Sequence, residues 1–170
     1  MNRKYFLQKT ALSAGIFIAH PAIGAAQDKQ QPPKPDPLPA DKVKDFVIAG
    51  HGNFGTVKQL LLEMPTLLYA TYDWGGGDFE TALEGAGHVG NKEIARHLIT
   101  AGARANLFVL TMLGETALVK SWLELHPQYL TARGPHGLTL LHHAQKGGEE
   151  SRELAAYLQS KGLTTTKMPL

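Results

Sequence analysis

Residues 81–106, TALEGAGHVGNKEIARHLITAGARAN, constrain the fold more than any other stretch. Thr81 and Glu84 have capping-box spacing: the threonine hydroxyl accepts from an orphan amide of the first turn while the glutamate reaches back to the amide of the cap. A helix is therefore predicted to start at Thr81. Gly85, Gly87 and Gly90 keep it short, and Asn91 is a ready cap for a second helix. In that second helix Ile94, Ala95, Leu98 and Ile99 form one narrow apolar stripe, and Gly102 supplies the left-handed residue that stops it. Isolated helices below roughly 12–15 residues are marginal in water, so each pair needs a neighbour to cover its stripe.

The pattern returns along the chain. Asp41 is placed to cap a first helix through Val43, Phe46, Val47 and Ala49, ended by Gly50 and Gly52. A second helix carries Val57, Leu60 and Leu61 and stops near Met64, because Pro65 cannot continue it. At an offset of 62, Gly52, Val57, Lys58, Leu61, Pro65, Leu68 and Ala70 recur as Gly114, Val119, Lys120, Leu123, Pro127, Leu130 and Ala132. A fourth unit opens with GLTLLHHA at Gly137, and its second helix runs from about Ser151 to Ser160 and ends at Gly162.

These units resemble ankyrin repeats, whose signature runs threonine, proline, leucine, histidine, any residue, alanine with a period of about 33. In the second unit Thr81, Leu83 and Ala86 match, with Ala82 and Glu84 replacing the proline and the histidine; Gly90, Gly102, Ala103 and Asn106 also sit where the family has them. In the fourth, Gly137, Thr139, Leu141, His142 and Ala144 match, with Leu140 at the proline position. The resemblance implies an all-α solenoid of about four helix-turn-helix units over residues 41–163. The turn glycines Gly52, Gly90, Gly114 and Gly147 are spaced 38, 24 and 33, so hairpin loops are uneven. The connection from Tyr69 to Phe79 is expanded, whereas Asn106 is followed directly by LFVLTMLG, which leaves no hairpin and predicts a notch between units two and three. Gln159, where other units have Leu61, Ile99 and Leu123, gives the last unit a polar outer face, and residues 164–170 read as a polar tail.

Ahead of the array, residues 1–26 have the three-part layout of a secretory signal peptide: basic Arg3 to Lys9, an apolar run from Ala11 to about Ile23, and small residues Gly24 to Ala26. NRKYFLQK is also similar to a twin-arginine signal, with Lys4 at the second arginine, so either export route is open. The expected location is periplasmic or secreted, with no membrane attachment after cleavage. Residues 27–40, with five prolines, form an extended linker. Cleavage removes three of the 17 basic residues and leaves 14 against 15 acidic ones, which gives no electrostatic footprint for nucleic acid. The absence of cysteine excludes disulfides, thiolate catalysis and thiolate metal ligands.

No catalytic constellation emerges from the sequence. His126, His136, His142 and His143 cluster without zinc-ligand spacing, and the family resemblance gives His142 a structural role, its ring tying helix starts to neighbouring hairpin backbone. The serines lack a nucleophile-elbow pattern, and WGGGD at 74–78 lacks the lysine and hydroxyl of a P-loop, reading instead as a hairpin tip. The expected protein is not an enzyme and has no metal or cofactor. The alternative is a small metal-dependent or hydrolytic protein using the His136/His143 region.

By resemblance, binding falls on hairpin tips and on the two positions before each turn glycine. Those positions are His88 and Val89, Met112 and Leu113, and Gln145 and Lys146, with Arg133 and His136 at the last hairpin tip. Tyr72 and Trp74 join them as loop aromatics suited to anchoring a partner. The expectation is a monomer that binds an unidentified protein through its concave face. For Met112 and Leu113 the competing reading is that they fill the gap left by the missing hairpin.

Overall fold

Local capping chemistry sets most helix boundaries. In the computed structural model, which describes residues 34–170, Thr81 and Glu84 form the capping box: Thr81 Oγ1 accepts from the Glu84 amide at 3.2 Å, and the Thr81 amide donates to Glu84 Oε2 at 2.8 Å. Asn53, Asn91, Asn106 and Thr139 each accept from the amide three residues on, and so start four more helices. The compact unit spans Asp36–Leu170. It is all-α apart from one short hairpin: α1 (Ala40–Gly50), α2 (Phe54–Glu63), β1 (Thr71–Asp73), β2 (Phe79–Thr81), α3 (Ala82–Val89), α4 (Lys92–Thr100), α5 (Leu107–Met112), α6 (Thr116–Leu125), α7 (Leu140–Gly147) and α8 (Arg152–Ser160). Short 3-10 turns at Pro65–Tyr69 and Pro127–Thr131 follow α2 and α6, where proline ends the α-helix. None of the described helices is long and apolar enough to cross a membrane.

Successive odd-numbered helices pack side by side, α1 on α3, α3 on α5 and α5 on α7, while α2, α4, α6 and α8 each fold back on the helix before them. Burial follows the apolar stripes. Ile94, Ala95 and Leu98 are buried, and together with Phe46, Leu67 and Met112 they belong to one apolar cluster; Val119, Leu140, Leu141, Leu154 and Leu158 belong to a second. The six-residue α5 separates the two clusters. Val109 and Met112 pack into the first, and Leu107, Phe108 and Leu110 against the second.

Because α5 is so short, the C-terminal end of α3 meets α7 directly. The His142 ring Nε2–H donates to the His88 carbonyl at 2.8 Å, and Lys92 Nζ donates to the Gly147 carbonyl at 2.6 Å. Lys92 and Arg96 also hold the Glu150 carboxylate at 3.1 and 3.0 Å. Gly90, in the left-handed conformation at φ 84°, lies so close to α7 that a Cβ there would stand 2.6 Å from the Lys146 carbonyl oxygen.

Two sequence readings are corrected here. Asp41 is not the cap of the first helix: α1 begins at Ala40 with Pro39 in the cap position, two residues earlier, and Asp41 lies in the first turn, where its charge suits the helix dipole. Met112 and Leu113 are buried, at 0% and 9% exposure, so they offer little surface to a partner; α5 packs against both α3 and α7. Part of the polar tail pairs with the segment before α7: Thr139 donates from its amide and its hydroxyl to the carbonyls of Thr166 and Thr165, and Leu138 pairs with Lys167. The signal peptide assigned to residues 1–26, and most of the linker, lie outside the described residues.

Candidate functional site

The β1–β2 hairpin builds the floor of the site. Asp73 shapes its tip by accepting from the amides of Gly75 and Gly77, and all three tip glycines have positive φ, which only glycine adopts at little cost. Alternation along β2 turns Phe79 outward, at 57% exposure, and Glu80 inward, fully buried. One carboxylate oxygen of Glu80, Oε2, accepts from Trp74 Nε1–H at 2.8 Å. The other, Oε1, lies 2.9 Å from His88 Nδ1 but out of line for a hydrogen bond, so both atoms are buried without a partner.

Three imidazoles surround this carboxylate, delivered by three separate elements. His51 follows α1 and presents Nε2 at 3.5 Å from Glu80 Oε1; its Nδ1–H donates to the Val47 carbonyl at 3.0 Å. His88 comes from the last turn of α3. His136 comes from the 3-10 turn Pro135–Gly137 and presents Nε2 at 3.5 Å from Glu80 Oε2. The His51 and His88 ring centres are 4.7 Å apart, and those of His88 and His136 5.3 Å. His51 lies flat on α3 only because residue 85 is glycine: a Cβ there would stand 2.8 Å from the ring.

His136 carries a backbone cost. At φ 59° it is the one non-glycine residue with positive φ among the described residues, a conformation that costs about 1–2 kcal/mol. Asp78, at 8% exposure, holds it there, accepting from the His136 amide and from Nδ1–H, each at 2.7 Å. The same pair of bonds joins the β1–β2 hairpin to the loop before α7. Burial pushes the Asp78 carboxyl up, but the two His136 bonds, the charge of that ring and Lys167 outweigh it and hold the carboxyl below its ordinary value. Glu80 behaves alike: burial raises it, and His88, His51 and the Trp74 N–H together bring it below the usual range.

The residues expected from sequence are distributed around this centre. Trp74, 37% exposed, packs edge-on to Tyr72 with ring centres 4.8 Å apart and stands 6.0 Å from the His136 ring. Val89, Gln145 and Lys146 are exposed at the ends of α3 and α7. Arg133 is exposed and donates to the Pro169 carbonyl. It borders a recess of about 390 Å³ whose walls include Gly76, Phe79, Phe108 and Pro135. His143 does not join His136: it is fully buried, its Nδ1–H on the Thr139 carbonyl at 2.8 Å and its ring 5.2 Å from Phe108. His126 packs instead at an angle against Trp122 and edge-on to Tyr129.

Sequence reasoning missed His51 and Glu80, read His88 as a partner contact, and read His136 as a partner contact or, in the alternative, as part of a metal-dependent or hydrolytic His136/His143 region. A signal was present for two of the histidines, since His51 and His88 fall in the two positions before the turn glycines Gly52 and Gly90. Glu80 had none, because its inward orientation depends on hairpin register. No family model, curated protein or solved structure matches the chain.

Proposed function

We propose that the chain is an ankyrin-type array acting outside the cytoplasm as a non-catalytic protein-binding module. The side-by-side order of α1, α3, α5 and α7, each covered by the helix after it, supports the repeat reading. So does His142, whose ring bonds the carbonyl of a neighbouring inner helix in the manner of a signature histidine. Export rests on the basic, apolar and small-residue layout of residues 1–26.

The observation that carries the binding reading is the recess between the hairpin tip and the loop before α7. Phe79, 57% exposed, and the exposed Arg133 both line it. Aromatic and arginine side chains are the types enriched at protein interfaces. Both come from rigidly tied loops, so little ordering entropy is lost on binding. The module is proposed to work as a monomer, and its fold alone does not dictate the partner.

Crosslinking pull-down from envelope extract compares wild type with Phe79→Ser and Arg133→Glu, both surface changes, with the fold of each checked by circular dichroism. Loss of the same specific partner in both variants supports the reading. Identical recovery in all three contradicts it.

A further inference from the structure

We propose that His51, Glu80, His88 and His136 bind one divalent transition-metal ion of the zinc class, beyond any protein-binding role. These are the residues among those described whose ligand atoms converge, all lying within 4.8 Å of one another. Two ligands on tetrahedral directions from one zinc ion, at about 2.0–2.2 Å each, are roughly 3.3–3.6 Å apart. Glu80 Oε1 lies 2.9 Å from His88 Nδ1 and 3.5 Å from His51 Nε2, and Glu80 Oε2 lies 3.5 Å from His136 Nε2, at that spacing or somewhat inside it. Small rotations of the rings bring the set around one ion.

Proton placement favours a cation at the centre. Nδ1 of His51 donates to a backbone carbonyl, and Nδ1 of His136 donates to the Asp78 carboxylate. In neutral imidazole the second nitrogen is then an acceptor, so Nε2 of each ring directs a lone pair at the cluster. A ligating histidine whose other nitrogen is tied to a carbonyl or a carboxylate is the usual outer-shell arrangement at metal sites. Trp74 N–H fixes one oxygen of Glu80 and leaves the other, fully buried, without a hydrogen bond. A buried carboxylate oxygen and a buried imidazole nitrogen facing each other unpartnered are costly in a folded protein, and one cation between them satisfies both. Three imidazoles and a carboxylate, with no thiolate, suit zinc and its neighbours in the first transition row rather than calcium or magnesium, which take oxygen ligands.

The bland alternative is a structural network in which protonated imidazoles neutralise Glu80. The two are separated by adding metal to tag-free protein that has been stripped with chelator. Zinc is titrated by calorimetry, and cobalt serves as a spectroscopic probe of coordination. The expected result is one zinc per chain, the intense visible bands of four-coordinate cobalt, and a higher melting temperature with one equivalent of zinc. Glu80→Gln keeps the side-chain shape and an acceptor for Trp74, and His51→Gln removes one nitrogen ligand; each is expected to weaken zinc binding at least 100-fold. Asp78→Asn alters only the outer shell and is expected to cost 10- to 100-fold. His126→Ala, away from the cluster, leaves binding unchanged. Folding of every variant is checked by circular dichroism. Should a ligand variant fail to fold, the Asp78→Asn titration and the cobalt spectrum of wild type decide the matter. Absence of stoichiometric zinc from wild type overturns the proposal, as does binding that survives Glu80→Gln and Asp78→Asn but is lost in His126→Ala.

Discussion

Acidification from pH 7 to pH 5 acts on His143, whose ring is sealed in the core. Burial is the main cause that lowers its pKa to about 4; the bond to the Thr139 carbonyl opposes the shift, and the charges of His142 and His88 add to it. Its Nε2 is buried with no partner and gains none on protonation. In the unfolded chain the same imidazole titrates near 6.5. The folded state therefore holds fewer protons between these values, and stability present above pH 6.5 is lost as the pH falls towards 4. At pH 5 the unfolded ring is mostly charged and the folded one mostly neutral, a difference of about 1.5 decades, or about 2 kcal/mol. The assay is urea unfolding at pH 7 and pH 5 in chelator, followed by circular dichroism, for wild type and His143→Leu. Asp78, Glu80 and Glu150 are all held below their ordinary values and lose their contribution at lower pH in both proteins, so they cancel in the comparison. Wild type is expected to lose about 2 kcal/mol more than the variant between the two pH values. Parallel losses would refute the claim that this ring is kept neutral by burial.

Other perturbations test the packing directly. Ser151→Ala removes a buried hydroxyl shared by the carbonyls of Thr111 and Met112, at 2.8 and 2.9 Å, and is expected to cost about 1–3 kcal/mol in urea unfolding. Thr81→Ala removes the hydroxyl of the capping box and is expected to cost about 1 kcal/mol, with Asp at the same position recovering most of it. Gly85→Ala places a Cβ 2.8 Å from the His51 ring, so the roughly 1 kcal/mol that alanine adds to an open helix is expected to vanish; a full gain would contradict the packing of that ring on α3.

Much of the architecture was legible because it is locally encoded. The Thr81/Glu84 box, the Asn91 cap, the stop at Met64 before Pro65 and the Ile94–Leu98 stripe are interactions within a few residues of one another, which capping and periodicity rules read directly. The absence of a hairpin after Asn106 was also visible, as a 24-residue spacing. What it does to the molecule was not: α3 and α7 come together, Met112 and Leu113 are buried, and the first hairpin reaches the loop before α7 through Asp78 and His136. That closure brings His136 to the His–Glu centre. His51, Glu80, His88 and His136 lie on four separate elements, and their convergence depends on helix stacking, hairpin register and one left-handed residue, none of which has a spacing rule.

The assembly of that centre is tested most directly by proton NMR on histidine-labelled, metal-free protein. The account predicts nuclear Overhauser contacts from the His88 ring to both the His51 and the His136 ring, whose centres lie 4.7 and 5.3 Å away. Three imidazoles without mutual contacts, each with the shifts of a solvated side chain, would contradict it.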